Sequence, residues 1–242
     1  MNDPARVPVQ LPLGICLNDD ATFDNYVAPP DSTNALALAA LRELLQPQSQ
    51  TPFVYVWGPE GAGISHLLQA ACHAASEQQW RCQYLPLEEL AGYAPEALLE
   101  GLEHLDLLCL DGVQHVMGQA GWDHALFTLY NRLRERQGSR LLVSADCAPR
   151  ELSAALPDLL SRMGWGIVFH LQSLDDAQKR EALKLRAHAR GIELSDEVVT
   201  FILNRSPRDM NELFQCLERL DVSSLSEKRR ITIPFVKETL GW

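Results

Sequence analysis

The sequence predicts an α/β fold, a parallel doubly wound sheet followed by an all-helical domain. Three observations predict it. Five short apolar, β-branched runs alternate with segments of helical period between residues 53 and 171. A glycine-rich loop, Gly58-Pro59-Glu60-Gly61-Ala62-Gly63-Ile64-Ser65, joins the first run to the helix behind it. Beyond Leu171 the period is helical to the end of the chain, with no strand-like run.

Residues 1–20 carry prolines at 4, 8 and 12 and read as an extended arm. Asn34–Leu45 is rich in Ala and Leu and reads as a helix, stopped at Gln46-Pro47. Phe53–Trp57 is uninterrupted apolar, hence a buried strand. Ile64, Leu67, Leu68 and Ala71 then recur at helical spacing, so a helix opens near Gly63 and runs to Glu77. The remaining strands are expected at Cys82–Leu85, Leu107–Leu110, Arg140–Ser144 and Ile167–Leu171. Helices Ala94–Leu102, Trp122–Gln137 and Leu152–Met163 separate them. In the C-terminal part, Asp175–Arg190, Ser195–Asn204, Arg208–Asp221 and Pro234–Leu240 are helical in period. Asp175 and Ser195 are suitable N-caps and Gly191 a suitable stop. The expected division is an arm (1–20), a nucleotide-binding domain (21–172) and a helical domain (173–242).

The chain has 242 residues, of which 46% are hydrophobic, enough for one full core and a smaller satellite. The net charge of −11 disfavours non-specific nucleic-acid binding, which needs clustered Lys and Arg, so direct DNA contact is expected to be weak or absent. The three-residue basic run Lys228–Arg230 reads as a solvated turn. Six scattered cysteines without a C-x-x-C pair read as reduced thiols of a cytoplasmic protein. No leader peptide and no membrane-spanning run is apparent. The histidines His66, His73, His115 and His124 have no metal-ligand spacing, and Trp57 and Trp80 read as core.

Gly58–Ser65 matches the phosphate loop G-x-x-x-x-G-K-[ST] except at Ile64, where lysine belongs. Glycines free the backbone to crowd N–H groups around an anion, and the helix N-terminus adds partial positive charge. The lysine would add a charge-assisted hydrogen bond of roughly 1.5–3 kcal/mol on the phosphate oxygens. Ser65 keeps the hydroxyl that can hold Mg²⁺. The third strand ends in Asp111, a carboxylate positioned for the Mg²⁺ shell. The next position, acidic in hydrolytic relatives, is Gly112. Little intrinsic ATPase activity is therefore expected, and no enzyme class follows from the chain alone.

Further residues resemble the AAA+ ATPases, and within them the bacterial replication initiator DnaA and the Hda family of its short regulatory paralogues. Thr22-Phe23-Asp24-Asn25-Tyr26-Val27, with Asn34 downstream, is similar to the lead-in segment that lies against the base. Ser161-Arg162-Met163-Gly164-Trp165-Gly166 is similar to a box whose arginine reaches across a subunit interface. Ser144-Ala145-Asp146 resembles the first sensor. For the second sensor, Arg208 is preferred and Asn211 is the other register. Gln10-Leu11-Pro12-Leu13-Gly14 is similar to the pentapeptide by which such proteins dock on the β sliding clamp.

The resemblance implies a five-stranded AAA+ αβα sandwich with a helical lid. It implies a nucleotide, ADP with or without Mg²⁺, held by Tyr26, Val27, Pro59, Glu60, Gly61, Ala62, Gly63, Ile64, Ser65, His66, Asp111 and Arg208. Ser65 and Asp111 would ligate the metal. The implied partners are DnaA and the clamp, with Arg162 as an arginine finger on the initiator's ATP and replication initiation as the process restrained. The initiator's DNA-binding domain is expected to be missing. The interface at Arg162 leaves open whether the second subunit is the initiator or another copy, a homodimer. Two other readings stay open: an adaptor that recruits a partner to DNA without triggering hydrolysis, and a self-sufficient ATPase.

Overall fold

The computed structural model describes residue 17 and residues 21–49, 51–136, 138–207 and 209–242. Five strands, β1 (Phe53–Trp57), β2 (Cys82–Pro86), β3 (Leu107–Asp111), β4 (Arg140–Ala145) and β5 (Ile167–His170), form one sheet in the order β2-β3-β4-β1-β5. All four pairings are parallel. Both faces of a parallel sheet need cover, which explains why these strands are runs of Val, Leu and Tyr rather than alternating sequences.

Helices α1 (Thr33–Leu44) and α2 (Ile64–Glu77) cover one face through Leu41, Leu44, Leu67 and Leu68, against Val54, Val56 and Leu142. Two short helices, α3 (Leu87–Leu90) and α4 (Pro95–Leu99), lie with α5 (Ala120–Glu135) and α6 (Pro157–Met163) on the other face. Trp122, Leu126 and Leu129 of α5 pack there on Tyr55, Leu108 and Val143. The C-terminal helices α7 (Asp176–Ala189), α8 (Asp196–Arg205), α9 (Met210–Glu227) and α10 (Ile233–Leu240) enclose a separate core around Leu183, Ile202, Leu213, Leu217 and Phe235.

Several expected elements shift. The helix expected over 94–102 covers only Pro95–Leu99, with Glu100 as its C-cap and Gly101 at φ +80° beyond it, and a further short helix, Leu87–Leu90, starts directly after β2. The helix expected from Leu152 begins at Pro157, because proline is tolerated only in a first turn. α9 starts two residues late, where Asp209 accepts hydrogen bonds from the N–H groups of Asn211 and Glu212. It then runs six residues past Asp221, ending where Lys228 turns left-handed at φ +53°. Asp175 and Ser195 cap α7 and α8 as expected. Trp57 and Trp80 are only partly buried: Trp57 stacks on His170 at 3.8 Å, and Arg140 lies 4.4 Å over Trp80. The five described cysteines are free.

Candidate nucleotide cavity and arginine face

β1 delivers its carboxyl end into the glycine loop. A Cβ on Gly58 would lie 2.5 Å from the Leu171 carbonyl oxygen, so only glycine passes there. Gly61 and Gly63 are left-handed, at φ +76° and +81°, which L side chains resist. Gly63 is the N-cap of α2 and contributes no side-chain cap, leaving first-turn N–H groups open toward the loop. This is the backbone arrangement a phosphate needs.

The loop borders a cavity of about 650 Å³ between the carboxyl ends of the strands and the start of α9. Its walls bring together Pro59, Glu60, Gly61, Ala62, Gly63, Ile64, Ser65, His66 and Asp111, as the sequence anticipates. They also include Ser144 and Asp146 of the sensor-like segment. Asn211, the alternative second-sensor position, lines the cavity with Met210 and Phe214, whereas Arg208 and Gln10–Gly14 fall outside the described residues.

Tyr26 and Val27 are not among the wall residues. Tyr26 lies behind the loop: its hydroxyl donates to the Ala62 carbonyl at 3.1 Å, and a Cβ on Gly63 would meet its ring at 2.7 Å. Val27, the next residue, packs into the lid core instead. The lead-in segment is thus a seam between two cores. Asn34, 2% exposed, locks it. Its carboxamide accepts from Gln172 N–H at 2.8 Å and donates to the Gln172 carbonyl at 3.0 Å and to the Tyr26 hydroxyl at 3.2 Å. Burial pushes the Tyr26 phenol above its ordinary pKa, so it stays protonated and able to donate.

The wall opposite the loop contains residues no motif signals. Tyr84 of β2 donates its hydroxyl to Asp111 Oδ2 at 2.6 Å and accepts from Gln69 Nε2 at 3.4 Å. Ser144 Oγ donates to the other carboxylate oxygen of Asp111, and Gly112 N–H donates to Ser144 Oγ at 2.9 Å. The Tyr84 phenol is therefore tied to Asp111, one of the two residues expected to share a metal. Burial, then the Asp111 charge, holds the phenol above its usual range. A Cβ on Gly112 would lie 2.9 Å from the His115 ring, so the absent side chain is what admits His115 to the wall.

Charge decides what this cavity can hold. Five carboxylates, Glu60, Glu88, Glu89, Asp111 and Asp146, line it, and no Lys or Arg does so among the described residues. Gln114 Oε1, on a wall residue, is buried without a hydrogen-bond partner and adds another lone pair. Opposite or like unit charges about 8 Å apart at an effective dielectric of about 20 interact by about 2 kcal/mol. Glu60, Glu88, Glu89 and Asp146 are exposed, so solvent screens much of that repulsion. The backbone fits a phosphate, and among the described residues no lysine or arginine of the wall supplements it.

Arg162 is not among the residues lining this cavity. It stands on the last turn of α6, with its guanidinium carbon 4.6 Å over the Trp165 ring and 5.9 Å from the rings of Phe127 and Tyr130. Arg134 of α5 lies 4.3 Å over the same indole. Trp165 remains 56% exposed between them. Neither arginine has an ion-pair partner among the described residues. The sequence marks Arg162 but not Arg134, whose position on a helix face carries no motif.

Known proteins resemble the chain throughout this frame. Residues 17–170 match the family model of the bacterial DnaA ATPase domain, and residues 176–240 match that of the Hda lid domain. Domain III of the Thermotoga maritima replication initiation protein DnaA superposes with TM-score 0.77 at 24% identity, covering 94% of this chain and 98% of that one. AMPPCP-bound DnaA from Aquifex aeolicus gives TM-score 0.70 at 25% identity, covering 87% and 68%. The Thermotoga maritima RuvB branch-migration motor gives 0.65 at 20%, covering 91% and 71%, a likeness of fold. The chain belongs to the bacterial DnaA ATPase-domain family, an AAA+ fold with an Hda-type lid. Among the described residues, no helix is long and apolar enough to cross a membrane.

Proposed function

We propose that this member of the DnaA family restrains replication initiation by acting on an initiator rather than by turning over ATP itself. Docked on the β sliding clamp through Gln10–Gly14, it presents Arg162 to ATP bound on DnaA and accelerates that hydrolysis. The observation that carries this reading is the state of Arg162. Its guanidinium is held on an exposed indole at the end of a helix, with no carboxylate partner among the described residues. A cation fixed in that way is available to the phosphates of a second subunit.

An arginine finger supplied in trans stabilises the charge of phosphoryl transfer and raises rates by about 10³–10⁵. Hydrolysis within the chain's own site has less support. Ile64 stands in place of the lysine and Gly112 in place of the acid. The ADP and Mg²⁺ implied by the resemblance have the backbone cradle in their favour and the lining charge against them. Ser65 and Asp111 would hold the metal, and Asp111 is engaged with the Tyr84 hydroxyl. The finger mechanism does not run through either group. The chemistry takes place in the cytoplasm, where the initiator and clamp act.

The test mixes clamp loaded on DNA, DnaA–ATP and this protein, and follows phosphate release. Arg162→Ala is expected to abolish the stimulation while leaving the fold intact. Full stimulation by that variant would refute the mechanism. Loss of stimulation on deleting residues 1–20 is expected from the docking step.

A further inference from the structure

One stripe of α5 faces the finger. Phe127, Tyr130 and Arg134 follow one another at helical spacing along it. The Phe127 and Tyr130 rings lie 5.9 Å from the Arg162 guanidinium carbon. Arg134 stands 4.3 Å over the Trp165 ring, and Arg162 stands 4.6 Å over the same ring. Two like charges are therefore close neighbours across one indole.

Carboxylates are at hand in the sequence and are not used. Asp158 precedes Arg162 by one turn of α6, a spacing that ordinarily favours an ion pair, and Glu135 adjoins Arg134. Among the described residues no ion pair joins either acid to either arginine. Trp165 sits between Gly164 and Gly166 and is 56% exposed, so its own neighbours in the chain do little to fix the ring. Arg134 reaches it from a different helix. Cations gathered on one ring without a counter-charge cost energy in the free chain, and a multiply charged anion from outside relieves that cost.

We propose that Arg134 is a positioning residue of the finger face: from α5 it holds the Trp165 indole, and through the indole the Arg162 guanidinium, ready for the phosphates of the second subunit. The role in hydrolysis rests on the function proposed above; the hold on the indole does not.

The first experiment needs no partner. The full chain, which has five tryptophans, is labelled with 5-fluorotryptophan, and W165F identifies the Trp165 resonance in the fluorine NMR spectrum. R134M, which keeps the length of the side chain and removes its charge, is expected to shift that resonance and leave the others in place. An unmoved Trp165 resonance overturns the proposal. The second experiment follows phosphate release from DnaA–ATP with clamp loaded on DNA and increasing amounts of each variant. R134M should lower the maximal stimulated rate about two- to fivefold, the size of an exposed cation–π contact, with the half-saturating concentration held within about twofold. R134K keeps a cation over the ring and should recover at least half of the loss. Arg134 is exposed, so Tm should stay within about 2 °C of the parent in both variants. An unchanged maximal rate in R134M, a loss confined to the half-saturating concentration, a loss that tracks a larger fall in Tm, or no recovery in R134K overturns the proposal. If the parent chain gives no stimulation, the function proposed above fails, and the fluorine spectrum alone decides whether Arg134 holds the indole.

Discussion

Replacing Asn34 by Ala probes the clip that joins the glycine loop, through Tyr26, to Gln172 just after β5. The side chain is 2% exposed and makes three hydrogen bonds, of 2.8, 3.0 and 3.2 Å. Alanine strips the Gln172 N–H of its acceptor and the Gln172 carbonyl of a donor. Each group left unsatisfied costs about 1–3 kcal/mol, and the Gln172 backbone near the surface belongs toward the lower end. A total near 3 kcal/mol follows. For a chain of this size each kcal/mol moves Tm by about 2–4 °C, so a fall of about 6–12 °C is expected by calorimetry. Tyr26→Phe removes the bond to Ala62 and the acceptor of one Asn34 donor, at a cost of about 1 kcal/mol. The double variant should then be non-additive by about 0.5 kcal/mol or more, because the two side chains share a bond. A Tm change under 2 °C for Asn34→Ala, or strict additivity, would refute the picture of one connected clip.

Gly166→Ala places a Cβ 2.6 Å from the Phe53 carbonyl oxygen and in the Phe53 ring, so β1 or β5 must move; a loss of about 1–3 kcal/mol in urea denaturation is expected, and an unchanged midpoint would show that the approach is not rigid. The pKa of Asp106 is held below the ordinary carboxylate range chiefly by the Arg81 backbone N–H at 2.9 Å, with the Arg81 side chain assisting. A depressed carboxylate stabilises above its unfolded pKa near 4 and loses that contribution as pH falls through the folded value. Asp106→Asn should therefore be less stable than the parent at pH 7, with the difference shrinking below about pH 4; a difference independent of pH would contradict the assignment.

The sheet was legible because its strands are continuous apolar runs, and burial on both faces leaves no other reading for Phe53–Trp57 or Leu107–Leu110. The stretch from Leu87 to Gly101 was not. Its apolar residues serve two short helices packed on different neighbours, and periodicity over so few residues does not separate them. Within the site, the loop, Asp111 and Arg162 stood out because glycines, a strand-end acid and a Gly-Trp-Gly context are local patterns. Tyr84 carried no signal: a tyrosine in a strand is ordinary, and its bond to Asp111 depends on β2 pairing with β3 in a register that sets Leu85 opposite Leu110 and Pro86 opposite Asp111. Tyr26 and Val27 pack on opposite sides of the seam, a division that no local pattern in the sequence signals.

What the sequence by itself determined is the fold class, the family likeness and the losses at Ile64 and Gly112, all of which are matters of residue type at fixed spacing. Tertiary structure alone decided the carboxylate lining of the cavity among the described residues, the bond from Tyr84 to Asp111, and the second arginine on Trp165. These depend on residues far apart in the chain. Electrostatics sums over distance in space, and only the folded backbone sets those distances.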